Sequence, residues 1–279
     1  MAITFAASFS RSDAWNSPSA LITFARRSRS ASACRAIAPA RGTRPGAAAT
    51  AGDAGCPFDA GREDQTPPET LRLGDGPTGW DVRVVPNLYP ALERQEVVIH
   101  GPVHRRSLGE LPDPTLDRIA DAWQRRAHDA GGNCFALVNE GHEAGASLPH
   151  SHSQLAWLPR PLARALPETI PVLARDGVAA GCPVASRVPY EVTIAPERAE
   201  PDGLRSDLLA PALRLLAELV RRLQRLRGEE VPLNVWLHAG AHWHLELFPR
   251  TTRLAGLELG AEVFVNPVPP EQAVQELSG

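Results

Sequence analysis

Two segments of the chain combine a pair of alternating histidines with a largely apolar run. Residues 146–160 and residues 241–250 each contain His-x-His and end in Pro-Arg. Side chains on a strand alternate between its two faces, so each segment places three polar side chains on one face: His150, His152 and Gln154 in the first, and His242, His244 and Glu246 in the second. Polar groups repeated on one face of an apolar strand are costly to bury without a purpose. The pattern therefore indicates a duplicated fold in which imidazole groups carry the chemistry.

The apolar periodicity predicts the same order of elements in both parts of the chain. The predicted elements are strands 80–86 and 96–100, a helix over 113–129, strand 134–139 and the first histidine strand, then strand 188–195, a helix over 207–227, strand 233–238 and the second histidine strand. Short connections between successive strands favour antiparallel pairing. We therefore predict a duplicated α+β fold, with two antiparallel sheets or half-barrels and helices packed on them.

Composition divides the chain into four parts. Residues 1–36 are rich in Ser, Ala and Arg, which predicts a disordered extension or a start site placed too far upstream. Residues 37–160 form the half that carries the first histidine strand. Residues 161–181 are rich in Pro and Ala and are predicted to be a linker, and residues 182–279 form the second half.

Charge and cysteine usage exclude several classes of protein. The net charge of −3 gives no overall field toward nucleic acid or an anionic membrane, so neither is expected as a partner. The four cysteines are widely spaced and do not suggest a disulfide framework. No apolar stretch reaches the roughly 18–20 residues that a membrane helix requires. These features predict a cytoplasmic protein.

The residues around the first histidine strand form a recognisable motif. Asn139-x-Gly141, Gly145-Ala146-Ser147 and His150-x-His152-x-Gln154 together resemble the active-site signature of the galactose-1-phosphate uridylyltransferase family, which is the transferase branch of the histidine-triad superfamily. Residues 38–46, 56–58 and 86–90 resemble further family segments, so that the resemblance covers about residues 36–279. The resemblance implies a histidine-triad-like fold in each half and a catalytic N-terminal half.

The family mechanism suits the residue types at these positions. By resemblance, His152 is the nucleophile that attacks the α-phosphorus of a nucleotide sugar and forms a covalent nucleotidyl-histidine. A neutral imidazole is a competent nucleophile, because its free pKa of about 6.5 leaves it largely unprotonated near pH 7. Gln154 cannot act as a proton donor, but its amide can bind a phosphoryl oxygen as charge develops. A phosphate leaving group needs no general acid, so glutamine favours transfer over hydrolysis.

Further substrate contacts are implied by the resemblance. Ser147 would contact the phosphate, and Asn87 and Asn139 would hold phosphate or ribose. Arg41 and Arg44 would bind the phosphates bidentately, which the planar guanidinium group allows.

The resemblance also implies a structural zinc site. In the family, the ion is held by Cys-x-x-Cys, a histidine before the first helix and the first histidine of the motif. Here Cys56-x-x-Asp59 replaces the cysteine pair, while His104 and His150 fit the other two positions. A Cys-Asp-His-His site is harder than one with two thiolates and is expected to bind zinc more weakly. Its expected role is to clamp the Cys56 loop against the histidine strand.

A second set of histidines resembles another structural metal site, which holds iron in some members of the family. The candidates are His238, His242 and His244, with Glu168 as the carboxylate that such a site needs. The same three histidines could equally form a hydrogen-bonded cluster.

These observations predict a nucleotidyltransferase of carbohydrate metabolism. The main expectation is transfer of a uridylyl group between UDP-glucose and a hexose 1-phosphate such as galactose 1-phosphate, as in galactose metabolism. Phosphorolysis of ADP-glucose or of dinucleoside polyphosphates is the alternative enzyme function. A nucleotide-binding protein that has lost turnover is the non-enzymatic alternative. The resemblance also implies a homodimer, because family members bind the sugar across a dimer interface.

Overall fold

The computed structural model describes residues 21–23, 55–75 and 77–279, which form twelve strands and four α-helices. The strands are β1 (Leu21–Thr23), β2 (Leu71–Leu73), β3 (Val82–Pro86), β4 (Gln95–Ile99), β5 (Asn133–Glu140), β6 (His152–Leu158), β7 (Thr169–Arg175), β8 (Val178–Pro183), β9 (Val192–Pro196), β10 (Leu233–His238), β11 (His244–Pro249) and β12 (Phe264–Asn266). The helices are α1 (Asp113–Ala130), α2 (Leu209–Arg227), α3 (Gly256–Ala261) and α4 (Pro270–Ser278).

Ten strands form one continuous antiparallel sheet in the order β2-β3-β4-β6-β5-β10-β11-β9-β8-β7. The order on one side of the β5–β10 pair mirrors the order on the other, which is consistent with the predicted duplication. The α+β class is confirmed, but the prediction of two separate sheets is corrected to one. At this central seam Leu233 pairs with Glu140 and Trp236 pairs with Leu137. Pairing the two strands satisfies backbone groups that two separate sheets would each leave at an edge.

The predicted linker contains secondary structure. β7 and the beginning of β8 lie within residues 161–181 and form an edge hairpin of the sheet. The sequence pattern did not predict this strand, because Pro171 lies within it and proline cannot donate a hydrogen bond within a sheet. Proline is nevertheless tolerated on edge strands and at bulges. The register shifts between Pro171 and Leu173 in agreement with that rule. Near the N-terminus, β1 pairs with β12, while the other residues of the predicted extension 1–36 lie outside the described residues.

The two long helices cover one face of the sheet and bury the main core. Gly131 and Gly228 are the C-cap residues that follow α1 and α2, and their backbone φ angles are +60° and +69°. Strand β6 shows how the two faces divide. Ser153 and Leu155 point toward the helices, and the Ser153 hydroxyl accepts a hydrogen bond from Trp123 Nε1 of α1. Because side chains alternate, His152 and Gln154 point to the opposite face. Among the described residues, no helix is long and apolar enough to cross a membrane.

Glu140 is a buried carboxyl group at the seam. Its Oε2 accepts a hydrogen bond from the Leu108 backbone N–H at 2.7 Å, yet burial raises its pKa to about 7. A carboxyl whose folded pKa is raised loses stability as pH rises from its unfolded pKa, near 4.5, to about 7. Above pH 7, the free energy of unfolding is lower by up to about 3 kcal/mol.

We predict that Glu140→Gln changes the pH dependence of stability. The variant has no carboxyl group to ionise, so its free energy of unfolding minus that of the parent should be about 2–3 kcal/mol larger at pH 8 than at pH 5. Urea unfolding at the two pH values measures this difference. Glu143→Gln, which changes an exposed neighbouring carboxyl, is the control. Equal behaviour of the two variants would contradict the assignment.

Candidate active site

The predicted nucleophile is held by a backbone carbonyl two residues away. His152 Nδ1 lies 2.8 Å from the carbonyl oxygen of His150. A carbonyl only accepts, so Nδ1 carries the hydrogen and Nε2 keeps its lone pair. The side chain is buried, and burial lowers the pKa of His152. The imidazole is therefore neutral near pH 7, with Nε2 available to form a bond.

Phe58 packs against both histidines of the motif. Its ring centroid lies 5.5 Å from that of His152 and 6.0 Å from that of His150, with edge-to-face geometry in both cases. Phe58 thus brings the loop that contains Cys56 onto the histidine strand. Residue spacing alone does not single out Phe58 within its segment, because its position depends on how the loop folds.

The predicted amide groups lie on the face of the sheet opposite α1 and α2. Gln154 Oε1 accepts a hydrogen bond from Gln95 Nε2 of the neighbouring strand β4. Asn139 Oδ1 accepts one from Asn234 Nδ2 at 2.8 Å, across the seam between the halves. Neither Gln95 nor Asn234 was predicted. Only the pairing of β4 with β6 and of β5 with β10 brings them to the site.

The other predicted substrate contacts lie in loops. Asn87 follows β3, and its Oδ1 accepts a hydrogen bond from the Tyr89 N–H at 2.9 Å. Ser147 is exposed and lines a cavity of about 320 Å³ beside the loop that precedes β6. Arg41 and Arg44 lie outside the described residues. The roles of these four residues stay predictions.

The structure brings together all four residues predicted to bind zinc. One ligand atom from each of Cys56, Asp59, His104 and His150 lies within 4.8 Å of the others. Asp59 Oδ1 is 2.8 Å from His104 Nδ1 and 3.1 Å from His150 Nδ1. Residues from the Cys56 loop, from the segment before α1 and from the segment before β6 therefore meet at one point.

The hydrogen-bond geometry of His150 is compatible with a bound cation. His150 Nε2 donates to the Gly101 carbonyl at 3.0 Å, so its Nδ1 carries a lone pair. Burial lowers the pKa of His150, which favours the neutral ring. The Nδ1 lone pair then faces the Asp59 carboxylate, an unfavourable contact that a cation bound to both atoms would make favourable. A metal-binding histidine commonly donates its other N–H to a carbonyl in this way.

The second histidine cluster differs from the predicted one. It consists of His238, His244 and Glu246, whose ligand atoms lie within 4.8 Å of one another. His242 does not belong to it, because its Nε2 interacts with the Pro196 carbonyl at 2.8 Å. Glu246, rather than Glu168, supplies the carboxylate. On strand β11, the alternation places His244 and Glu246 on the same face as His238 of β10.

The carboxylate of the second cluster is already neutralised by protein side chains. Glu246 is ion-paired with Arg187 and with Arg164, the latter at 2.9 Å, and His238 Nε2 lies 2.9 Å from it. Burial by itself would raise the pKa of Glu246, but the His238 hydrogen bond and the two arginines hold it at about 2. Arg187 also pairs with the buried Glu191 at 2.6 Å. Two arginines thus balance two carboxylates, so this set fits a dication poorly.

Comparison with known proteins identifies the class. The family profile described as galactose-1-phosphate uridyl transferase, N-terminal domain, matches residues 90–158. The ADP-glucose phosphorylase of Arabidopsis thaliana is 26% identical, with 79% of this chain and 80% of the relative covered. The galactose-1-phosphate uridylyltransferase of Thermotoga maritima is 24% identical, with 72% and 85% covered. A crystal structure of an Arabidopsis thaliana ADP-glucose phosphorylase with bound ADP-glucose superposes with a TM-score of 0.72 at 24% identity, covering 86% of this chain and 94% of that one.

The fold is that of a solved ADP-glucose phosphorylase, and the segment with the histidine motif is similar to the N-terminal domain of galactose-1-phosphate uridyl transferases. The predicted resemblance to the galactose-1-phosphate uridylyltransferase family is confirmed: the family profile matches residues 90–158, and the curated relatives are similar to most of the chain.

We predict that Arg187→Met strongly destabilises the protein. The substitution leaves Glu191 and Glu246 buried without their shared counter-charge, and breaking a buried pair in this way costs about 3–5 kcal/mol. Denaturant unfolding measures the change. Arg175→Met is the matched control, because Arg175 pairs with Asp176 at the surface and should contribute about 0–1 kcal/mol. A loss for Arg187→Met no larger than that of the control would contradict the charge balance described here.

Proposed function

We propose that this protein transfers a nucleoside monophosphate from a nucleotide sugar to a phosphate-bearing acceptor through a covalent bond to His152. The observation that carries the proposal is the hydrogen bond from His152 Nδ1–H to the His150 carbonyl. It supports a tautomer in which Nε2 keeps the lone pair that the proposed nucleophile needs, and it can stabilise the positive charge that the ring gains when Nε2 bonds to phosphorus.

The proposed reaction has two steps that balance. In the first, His152 Nε2 attacks the α-phosphorus, the bond from that phosphorus to the bridging oxygen breaks, and the sugar 1-phosphate leaves. In the second, a phosphate oxygen of the acceptor attacks the same phosphorus and the phosphorus–nitrogen bond breaks. The imidazole returns to its neutral state, and both leaving groups depart without a proton donor. Gln154 is proposed to stabilise charge on the phosphoryl oxygens.

Two donor and acceptor pairs are supported by different observations. The motif favours UDP-glucose with a hexose 1-phosphate as acceptor, as in galactose metabolism, and the Thermotoga maritima relative supports this pair. The Arabidopsis thaliana ADP-glucose phosphorylase relative supports ADP-glucose with inorganic phosphate. Both reactions pass through a nucleotidyl group bound to His152. They differ in the base of that group and in the acceptor, so one experiment separates them.

We predict that the protein retains a labelled nucleotide when it is incubated without acceptor. UDP-glucose and ADP-glucose, each labelled at the α-phosphorus, are supplied separately, and the protein is denatured in alkali, where phosphohistidine survives. Label should remain on the parent and be lost in His152→Ala, with turnover reduced at least about a thousandfold. The base that is retained identifies the donor.

The matched control is His128→Ala, which removes an exposed histidine on α1. It should label like the parent. Release of the label by galactose 1-phosphate supports the uridylyltransferase, and release by inorganic phosphate supports the phosphorylase. Nucleotide binding without label from either donor would contradict the proposed enzyme and favour a nucleotide-binding protein that has lost turnover.

We propose that Cys56, Asp59, His104 and His150 hold one structural zinc ion. When bound, the ion would link the Cys56 loop to the segment before β6 and restrain His150, whose carbonyl orients the nucleophile. Burial raises the pKa of the Cys56 thiol, so zinc binding must displace its proton and should weaken as pH falls.

We predict stoichiometric zinc in the purified protein, measured by elemental analysis. Cys56→Ala should lose the metal and lower the thermal midpoint, whereas Cys134→Ala, which alters a cysteine outside the cluster, should keep it. Asp59→Cys should hold zinc more tightly against a chelator, because thiolate is the softer ligand. Zinc below stoichiometry in the parent, with a thermal midpoint that a chelator does not change, would exclude the structural role.

A further inference from the structure

We infer that Gln95 and Asn234 are positioning residues that turn the amides of Gln154 and Asn139 so that only N–H groups face the substrate phosphates. The inference deepens the proposed function and rests on it for the identity of the substrate. It concerns how the site selects an anion, and it assigns a role to two side chains that belong to no recognised motif of the sequence.

The direction of the Gln154 amide follows from a chain of hydrogen bonds that begins at the backbone. The N–H of Ala91 donates to Gln95 Oε1 at 2.8 Å. A backbone N–H only donates, so the atom of Gln95 that faces Ala91 must be its oxygen. Gln95 therefore turns its NH2 group toward Gln154 and donates to Gln154 Oε1. The NH2 group of Gln154 is left to face away from Gln95.

The same logic orients Asn139 from the other half of the chain. Asn234 Nδ2 donates to the Ala144 carbonyl at 2.9 Å, and a carbonyl only accepts. The same Nδ2 donates to Asn139 Oδ1, while Asn234 Oδ1 accepts from Arg250 at 3.3 Å. Both ends of the Asn234 amide are thereby assigned. Asn139, like Gln154, has its oxygen occupied and its NH2 group free.

A third amide follows the same rule. Asn87 Oδ1 accepts from the Tyr89 N–H, so its oxygen is also occupied by a backbone donor. Among the described residues, the NH2 groups of Asn87, Asn139 and Gln154 donate no hydrogen bond, and all three side chains are partly exposed. Each of the three predicted substrate amides thus has its oxygen hydrogen-bonded to a protein donor, while its NH2 group remains available to donate to a substrate.

A set of amides that offers only donors is complementary to a phosphoryl group. Its peripheral oxygens accept hydrogen bonds and carry negative charge, which increases as the phosphorus is attacked. If the amide of Gln154 or of Asn139 were rotated by 180°, its carbonyl oxygen would face the phosphoryl oxygens and repel them. Gln95 and Asn234 prevent this reversal, and each is held by a backbone group rather than by the substrate. The donors are therefore oriented before the substrate binds.

The test is a double-mutant cycle on Gln95 and Gln154. In Gln95→Glu the carboxylate still accepts from Ala91 N–H but cannot donate to Gln154, whose amide must reverse to satisfy it. We expect the kcat of nucleotidyl transfer to fall about tenfold or more, with a smaller change in KM. UMP or AMP, titrated as the binding probe, should also bind more weakly. In a Gln154→Leu background, the same substitution should change kcat and binding by less than about threefold.

The background separates the amide orientation from other effects. A new charge or a folding defect would lower activity in both backgrounds alike, and that result would overturn the inference, as would full activity of Gln95→Glu. If Gln95→Glu does not fold, Gln95→Met removes the donor without adding charge and is placed in the same cycle. The second pair is tested by introducing Asn234→Asp into the parent and into an Asn139→Ala background. We expect kcat and nucleotide binding to fall in the parent only.

Failure of the inference is distinguishable from failure of the proposed function. If the parent forms the His152 adduct but the cycle shows no coupling, the function stands and the positioning role is rejected. If the parent forms no adduct, the function is rejected. UMP and AMP binding then decides the positioning role alone: coupling between Gln95 and Gln154 supports it, and independence overturns it.

Discussion

The antiparallel pairing of β5 with β10 joins the two halves of the chain. Each half of the chain would otherwise end in an edge strand with unpaired backbone groups. Joining the two edges makes one sheet of ten strands and places the histidine strands β6 and β11 on either side of the central pair. The same pairing brings Asn234 of the second half to Asn139 of the first. Both halves therefore contribute side chains to the candidate site, although the proposed nucleophile, His152, lies in the first half.

The two histidine strands show how one backbone geometry can serve different purposes. His152 Nδ1 interacts with the carbonyl of His150, and His244 Nδ1 lies 3.3 Å from the carbonyl of His242. The difference lies two residues further on. Gln154 offers an uncharged N–H donor, whereas Glu246 is a buried carboxylate paired with two arginines. A carboxylate at that position would repel a phosphoryl group, so the second strand serves as an ion-paired scaffold. The asymmetry between Gln154 and Glu246 supports the proposal that the first half carries the chemistry.

The sequence predicted those features that depend on local pattern. The two long helices follow from apolar periodicity and terminal glycines, whereas the Cys56, Asp59, His104 and His150 set was implied by the family resemblance. The joining of two sheets into one was not predictable, because strand periodicity does not specify which edges pair. Strand β7 was hidden by Pro171. Gln95 and Asn234 carry no spacing signal, since their role comes from neighbours that are distant in sequence.

The proposed covalent intermediate can be detected by mass spectrometry of the intact protein after incubation with a nucleotide sugar and no acceptor, followed by peptide mapping under alkaline conditions. We expect a mass increase equal to one nucleoside monophosphate, located on His152 and removed when the phosphate-bearing acceptor is added. An unmodified protein with every donor tried, or an adduct on a residue other than His152, would contradict it.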